Sequence, residues 1–178
     1  MNYNGFDKES VDIFLEQVRL GETEIVEMFI QQDIDIITVK NEFGNSALHF
    51  ACGNCHVDMV EMLLSHSEVI EIINDVNQQG NTPMHWTVGA PIEMMDGIKE
   101  DHIVKITNML LEKGADKNIL NKSEQTPLLI AIQKHRELVV EVLMEPIGDD
   151  IEIGDGEIVV EEDKMEEIKE EKEMKEEK

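Results

Sequence analysis

The feature that most constrains the fold is a segment that occurs three times along the chain. The copies begin at Gly44 (GNSALHFACGNCHVDMVEMLL), Gly80 (GNTPMHWTVG) and Glu124 (EQTPLLIAIQKHRELVVEVL). Each has a polar turn, a Ser/Thr-Ala/Pro-Leu/Met step and an apolar helix with i, i+3, i+4 spacing. Repetition of this kind predicts stacked units, each of which buries its apolar face against its neighbours.

The spacing of the copies predicts two insertions. Ser46 and Thr82 are 36 residues apart, whereas Thr82 and Thr126 are 44 residues apart. We place one insertion at 67–75 (SEVIEIIND), where it extends the second helix of its repeat or the following loop. The other, 90–100 (APIEMMDGIKE), is predicted to be a protruding loop after the first helix of the third repeat.

Helical periodicity gives the approximate limits of the helices. We predict helix pairs at 47–54 and 57–64, at 83–88 and 103–111, and at 127–134 and 137–144. Pro83 and Pro127 suit a first helical turn, and Thr82 and Thr126 precede them as N-caps. Upstream, 10–20 and 22–30 flank Gly21 with the same spacing but without the Thr-Pro step, which predicts a divergent N-terminal capping repeat.

This template resembles the ankyrin repeat, which has a T-P-L-H-x-A signature and a period of about 33 residues. The resemblance covers about residues 8–145. It implies an all-α ankyrin-repeat solenoid of about four helix–turn–helix repeats with short hairpin loops, followed by an acidic C-terminal tail. The predicted domain is 1–146, with repeats near 8–40, 41–76, 77–120 and 121–146 and the insertion at 90–100; the tail is 147–178.

Charge restricts the class of partner. The chain has 40 acidic and 15 basic residues, a formal net charge of -25. Such a surface repels nucleic acid and anionic membranes and complements a basic protein. Residues 149–178 alone hold 15 acids and 5 lysines. We expect 161–178 to be a marginal solvated helix or disordered, and IEIGDGEIVV before it to be a small hairpin or a linear docking segment.

The compartment is predicted from what the sequence lacks. We find no basic-then-apolar secretion signal at the N-terminus and no apolar run of membrane-spanning length. Two cysteines are too few for a disulfide framework. We therefore expect a monomer in the reducing cytoplasm or nucleus, and the sequence does not choose between these.

The sharpest catalytic pattern is Cys52-Gly53-Asn54-Cys55-His56. It matches C-x-x-C-H of haem attachment, contains the C-x-x-C of thiol redox proteins and, with His49, could bind zinc. The repeat register explains the same residues as packing and turn positions, and we favour that interpretation. Since there is also no phosphate-binding Gly-Lys-Ser/Thr loop and no G-x-S-x-G serine, we predict no enzyme, no cofactor and no metal.

The resemblance also assigns structural and binding positions. The histidines of the Thr-Pro-Leu-His step, His49 and His85, are implied to bond to the backbone of the adjacent hairpin. Trp86 is either an inter-repeat packing residue, which we favour, or an anchor for a partner. The family's binding positions are hairpin tips and inner-helix exits, which correspond here to Glu42, Phe43, Asn45, Gly53, Asn54, Gln78, Gln79, Asn81, Gly89, Lys122, Ser123 and Gln125. We add Trp86 to these candidate binding residues as the alternative anchor.

Function follows as an expectation from resemblance and charge together. INDVNQQGNTPMHW, in a short acidic-tailed chain, is similar to a yeast ankyrin-repeat protein that chaperones a newly made small-subunit ribosomal protein. We therefore favour a non-catalytic scaffold that holds a basic client through an acidic concave surface and tail. The favoured version is a chaperone of a ribosomal protein in ribosome assembly. The alternative is an adaptor or inhibitor of a transcription factor or kinase. A thiol or metal enzyme is the third hypothesis.

Overall fold

The computed structural model describes residues 5–92, 97 and 100–144. Its helices follow the predicted repeat pattern closely. They are α1 (Lys8–Leu20), α2 (Thr23–Gln32), α3 (Ala47–Gly53), α4 (Val57–Leu64), α5 (Pro83–Gly89), α6 (Glu100–Glu112), α7 (Pro127–Gln133) and α8 (Glu137–Met144). α6 begins three residues before its predicted start. For the described residues, the predicted all-α solenoid of helix–turn–helix repeats is confirmed.

The helices stack in two layers. The first helices of the repeats (α1, α3, α5, α7) pack in sequence against one another, and the second helices (α2, α4, α6, α8) do the same behind them. Thr82 and Thr126 accept hydrogen bonds at the N-termini of α5 and α7, and Pro83 and Pro127 occupy the first turn, as predicted. Proline at this position forgoes no helical hydrogen bond.

Each position in a repeat faces a particular neighbour. Phe14, Leu48 and Met84 occupy one position in successive repeats and are buried, whereas their counterpart Leu128 in the last repeat is half-buried. This position therefore faces the following repeat. This loss of burial in the last repeat is expected for a stack of repeats, because each repeat contacts only its neighbours.

The insertion at 67–75 does not lengthen α4. α4 ends at Leu64, and a separate 3₁₀ helix, Ser67–Glu71, follows it. It packs against the corresponding 3₁₀ helix of the first repeat, Ile34–Thr38. The extra residues bring Val69, Ile72 and Ile73 into the core, and burying these side chains favours a folded connection over an open loop.

Two predicted regions fall wholly or partly outside the described residues. The insertion at 90–100 is described only at 90–92, 97 and 100, and the tail at 147–178 lies outside entirely. The domain boundary near 146 and the nature of the tail stay predictions. None of the helices in the described residues is long and apolar enough to cross a membrane.

Candidate functional site

Three hairpin loops, each built around an asparagine, project from the stack. Asn77 Oδ1 accepts backbone N–H bonds from Gln79 at 2.9 Å and Asn81 at 3.0 Å. Asn41 and Asn121 do the same in their own loops, at 2.9–3.0 Å. An asparagine side chain that bonds its own backbone nearby stabilises a turn.

The loops are also bonded to one another. The Asn77 amide nitrogen donates to Asn45 Oδ1, and the Asn121 amide nitrogen donates to Asn81 Oδ1, both at 2.9 Å. Backbone bonds add to this, with Gln78 N donating to the Phe43 carbonyl at 2.9 Å. Lys122 N donates to the next carbonyl in the series, that of Gln79, at 3.0 Å. These bonds hold the hairpin tips at a fixed spacing.

Two buried histidines tie the helices to the loops. His49 Nδ1 accepts from the Ser46 backbone N–H at 3.2 Å, so Nε2 carries the proton and donates to the Asn81 carbonyl at 2.9 Å. His85 likewise contacts Thr82 and, at 3.0 Å, the Gln125 carbonyl. The predicted bond to the adjacent hairpin is therefore present. Burial lowers the pKa of His49 to about 4 and also lowers that of His85.

Trp86 packs between two repeats. Its ring meets His49 and Phe50 edge-on, with centroids 5.6 and 5.7 Å apart. A methyl group at Gly53 would lie 2.6 Å from the indole Cε3, so that position must be glycine for the ring to seat. Trp86 remains partly accessible. It therefore has the inter-repeat packing contacts that we favoured while also presenting ring surface to a partner.

An open groove of about 660 Å³ runs along the concave side. Its floor is the exposed edge of Trp86 and the half-buried Ile130, and side-chain amides from the loops and helix ends surround them. The lining residues are Gly53, Asn54, Gln79, Asn81, His85, Trp86, Gly89, Ala90, Pro91, Asn121, Ser123, Gln125, Ile130, Gln133 and Lys134. Such a surface can bond to the backbone of a partner and bury its apolar side chains.

The groove corrects our expectation of an acidic concave surface. Among the described residues that line it, none is a carboxylate, and Lys134 is the only one with a formal charge. Carboxylates appear instead at the N-terminal end of the concave side, where Glu16 occupies the position equivalent to Phe50, Trp86 and Ile130. The net charge of a sequence does not specify which surface carries the carboxylates, so it could not place them on the concave face.

The structure brings together some of the positions assigned by resemblance. Eight of them line the groove: Gly53, Asn54, Gln79, Asn81, Trp86, Gly89, Ser123 and Gln125. Glu42, Phe43, Gln78 and Lys122 are exposed on the hairpin tips outside it. Asn45 is only 7% exposed and bonds to Asn77, so its side chain is used within the stack.

Sequence reasoning missed the groove residues of the fourth repeat. Gln133 and Lys134 occupy the positions equivalent to Gly53 and Asn54 but were not assigned. Extending the same register by one repeat would have found them. Ile130, equivalent to Trp86, was missed for the same reason.

The C-x-x-C-H segment is placed where the repeat register predicts. Cys52 and Cys55 are buried free thiols, and burial raises their pKa values to about 12 and about 11. His56 Nε2 contacts the Arg19 carbonyl at 2.8 Å, and both nitrogens of His49 are engaged. Within the described ranges no group of three histidine, cysteine or acidic side chains could hold a metal ion.

Family profiles match most of the repeat stack. One described as "Ankyrin repeats (3 copies)" matches residues 15–96, and one described as "Ankyrin repeat" matches residues 79–122. The solved structure of yeast ribosomal protein Rps3 in complex with its chaperone Yar1 contains a similar chain, with a TM-score of 0.66 and 24% identity. The match covers 81% of this chain and 99% of that one, and at this identity it bears on fold alone.

Curated relatives are similar over part of their length. The putative ankyrin repeat protein YahD of Escherichia coli is 32% identical over 63% of this chain, and the match spans 50% of that protein. The human transient receptor potential cation channel subfamily A member 1 is 29% identical over 55% of this chain, but the match spans 8% of the channel. Members of this family are generally protein-interaction modules. The hairpin ladder, the paired helices and these matches together show that the chain belongs to the ankyrin-repeat family.

Proposed function

We propose that this chain is a non-catalytic scaffold that binds a basic protein client, and that the client is a ribosomal protein awaiting assembly. The observation that carries the proposal is a preformed concave groove in a chain with a net charge of -25. Such a charge attracts basic proteins and speeds their encounter. A chain of similar fold occurs in the crystallised complex of Rps3 with its chaperone Yar1, and for this reason we propose a ribosomal protein as the class of client.

The two parts of the binding surface contribute differently. The groove itself is nearly uncharged, so it recognises backbone and apolar groups, as its amides, Trp86 and Ile130 indicate. Carboxylates elsewhere on the chain, including those beside α1, attract the client and shield its basic residues before assembly. Since ribosomal proteins are made in the cytoplasm and assembled partly in the nucleus, we propose these compartments for the chain.

Affinity capture followed by direct titration tests the proposal. The tagged full chain is captured from cells at about 50 mM salt, and the co-purifying proteins are identified by mass spectrometry. Each captured client is then purified and titrated against the chain over a range of salt concentrations. We expect a ribosomal protein whose affinity falls as salt rises. A transcription factor or kinase would favour the adaptor alternative, and salt-independent binding of a neutral client would contradict the proposal.

A charge-matched pair of variants tests the groove. Gln79 lies exposed in the groove lining, whereas Gln31 lies exposed at the end of α2. Gln79→Arg adds bulk and positive charge where the client binds, so we expect about a tenfold loss of affinity or more. Gln31→Arg makes the same change in net charge and should leave affinity within about twofold. Equal losses of affinity in Gln79→Arg and Gln31→Arg would show that the client does not bind in the groove.

A further inference from the structure

The first repeat leaves uncovered an apolar face that every later repeat buries. Ile13 of α1 is 46% exposed, and Ile25 of α2 is 41% exposed. Their counterparts in the second repeat, Ala47 and Met59, are both 0% exposed. In each later repeat these two positions are buried, and only in the first repeat are they exposed. The two side chains therefore lie on the N-terminal side of their repeat, where a preceding repeat would pack. We call Ile13, Gln17 and Ile25 the N-terminal end face.

The shape of this face suits a helix. In the second repeat, the elements that pack against α3 and α4 from the N-terminal side are the helices α1 and α2. The equivalent surface of α1 and α2 therefore presents grooves made for helical neighbours. An amphipathic helix with an apolar stripe can occupy it as a further layer of the stack.

Charge determines which kind of helix fits. The hollow beside Ile13 is lined by Glu9, Asp12 and Glu16 together with Lys8 and Gln17. Glu16 bonds to Arg19, with Nε and Oε2 2.8 Å apart, and the Lys8 ammonium lies 4.0 Å from Glu42. In the part of the chain that the structure describes, Glu9 and Asp12 have no ion-pair partner.

The same charges oppose pairing with a second copy. Two N-terminal end faces brought together would set Glu9 and Asp12 against their own counterparts, and juxtaposed like charges at an interface are costly. A helix with lysine or arginine beside its apolar stripe would instead gain charge-assisted contacts with both carboxylates.

We propose that the N-terminal end face, apolar at Ile13 and Ile25 and rimmed by Glu9 and Asp12, docks a basic amphipathic helix of the client. This inference rests on the proposed basic client and adds a second contact surface beyond the concave groove. Glu16, which lines the hollow beside the end face, occupies the repeat position that Trp86 and Ile130 occupy in the groove.

The test uses a designed probe and a matched control. The probe is a fluorescein-labelled helical peptide of about 15 residues with leucines at i, i+3, i+4 spacing and lysines flanking them. Its fluorescence anisotropy is titrated with the full chain at about 50 mM salt. Ile13→Asn/Ile25→Asn is compared with Leu138→Asn, which changes a side chain on α8 that is 45% exposed. All three positions are solvent-accessible, and circular dichroism checks that each variant is folded.

We expect the double variant to weaken peptide binding about tenfold or more and Leu138→Asn to leave it within about twofold. A version of the peptide with glutamate for lysine should not bind. If the double variant binds as the wild type does and Gln79→Arg abolishes binding, the end-face proposal fails while the proposed function stands. A wild type that does not bind the peptide, or that sediments as a dimer dissociated by the double variant, also overturns it.

Discussion

At the scale of single residues, His49 and His85 each bridge a helix to the following hairpin. His49 is fully buried, and its ring joins the N-terminus of α3 to the carbonyl of Asn81 in the next hairpin. Removing such a ring leaves a cavity and deprives the buried Ser46 N–H of its acceptor. The Asn81 carbonyl loses one of two donors, since it also accepts from Asn77 N at 3.0 Å. In the fourth repeat Leu129 takes this position, and the described residues contain no further hairpin for a histidine to reach.

His49→Ala should therefore destabilise the fold by about 3 kcal/mol. The free energy of unfolding in urea measures this. His135→Asn is the control, because His135 is exposed with φ +55°, a conformation that asparagine tolerates, and should change stability by less than about 0.5 kcal/mol. Similar losses in both variants would show that the bridge contributes little.

The same ring makes stability depend on pH. In the folded chain the pKa of His49 is lowered to about 4, from its usual 6.5. Between these values the unfolded chain binds more protons than the folded chain. The stabilisation present above pH 6.5 is therefore lost as pH falls toward 4, and amounts to about 3 kcal/mol.

His49→Gln isolates this dependence, since glutamine can still donate to the Asn81 carbonyl but does not titrate. The wild-type free energy of unfolding minus that of His49→Gln should fall by about 2 kcal/mol between pH of about 7 and 5. Carboxylates titrate in both proteins, so the difference removes their contribution. A difference that is constant with pH would mean that His49 is not the titrating group.

At the scale of elements, the hairpins differ in whether the residue with positive φ can carry a side chain. Gly80 has φ +76°, and a Cβ there would lie 2.8 Å from Lys122 N in the following hairpin. Glu124 occupies the equivalent place in the last described hairpin with φ +58°. A side chain is sterically possible there because no further hairpin follows among the described residues, yet the backbone conformation still disfavours it.

Two substitutions of opposite sign follow from this comparison. Glu124→Gly should raise the free energy of unfolding by about 0.5–1 kcal/mol by relieving the left-handed conformation. Gly80→Ala should lower it by about 2 kcal/mol or more, because the methyl group meets backbone that cannot move independently. Thermal or urea unfolding of both variants checks the pair. Destabilisation by Glu124→Gly would contradict the argument.

At the scale of the whole molecule, most of the acidic residues lie away from the concave groove. The concave groove is nearly uncharged, whereas carboxylates lie at the N-terminal end of the stack and in the sequence of the tail. If the client is basic, as we propose, this separation lets long-range attraction act on it while short-range contacts select it. The tail holds 15 acids and 5 lysines in residues 149–178, a large part of the total charge.

Deleting residues 149–178 should therefore weaken binding of the basic client and make the remaining affinity less dependent on salt. The measurement is the dissociation constant of a captured client at several salt concentrations, for the full and shortened chains. We expect about a tenfold loss at about 50 mM salt and a smaller loss at about 500 mM, where charges are screened beyond about 4 Å. A loss of equal size at all salt concentrations would indicate contacts other than charge.

Much of the fold was predictable because the repeats are local and periodic. The helix limits and the Thr82 and Thr126 caps follow from register, since a stacked unit places the same position in the same environment each time. The bonds of His49 and His85 to the adjacent hairpin were implied by the resemblance to ankyrin repeats. The binding surface was only partly predictable. Register located Asn54, Gln79 and Trp86, but it did not place Asn45 inside the stack or show that the insertion at 67–75 folds as a 3₁₀ helix.

By itself, the sequence determined the repeat family, the order of the helices and the acidic character of the chain, because spacing and composition are properties of the chain alone. The tertiary structure decided which faces those residues occupy. Only packing shows that the groove is nearly uncharged and that Ile13 and Ile25 are exposed where Ala47 and Met59 are buried. Only packing shows, too, that a Cβ at Gly80 would meet the backbone of the next hairpin. The physical reason is that exposure depends on which neighbouring repeat is present, whereas the repeat pattern is nearly the same in every copy.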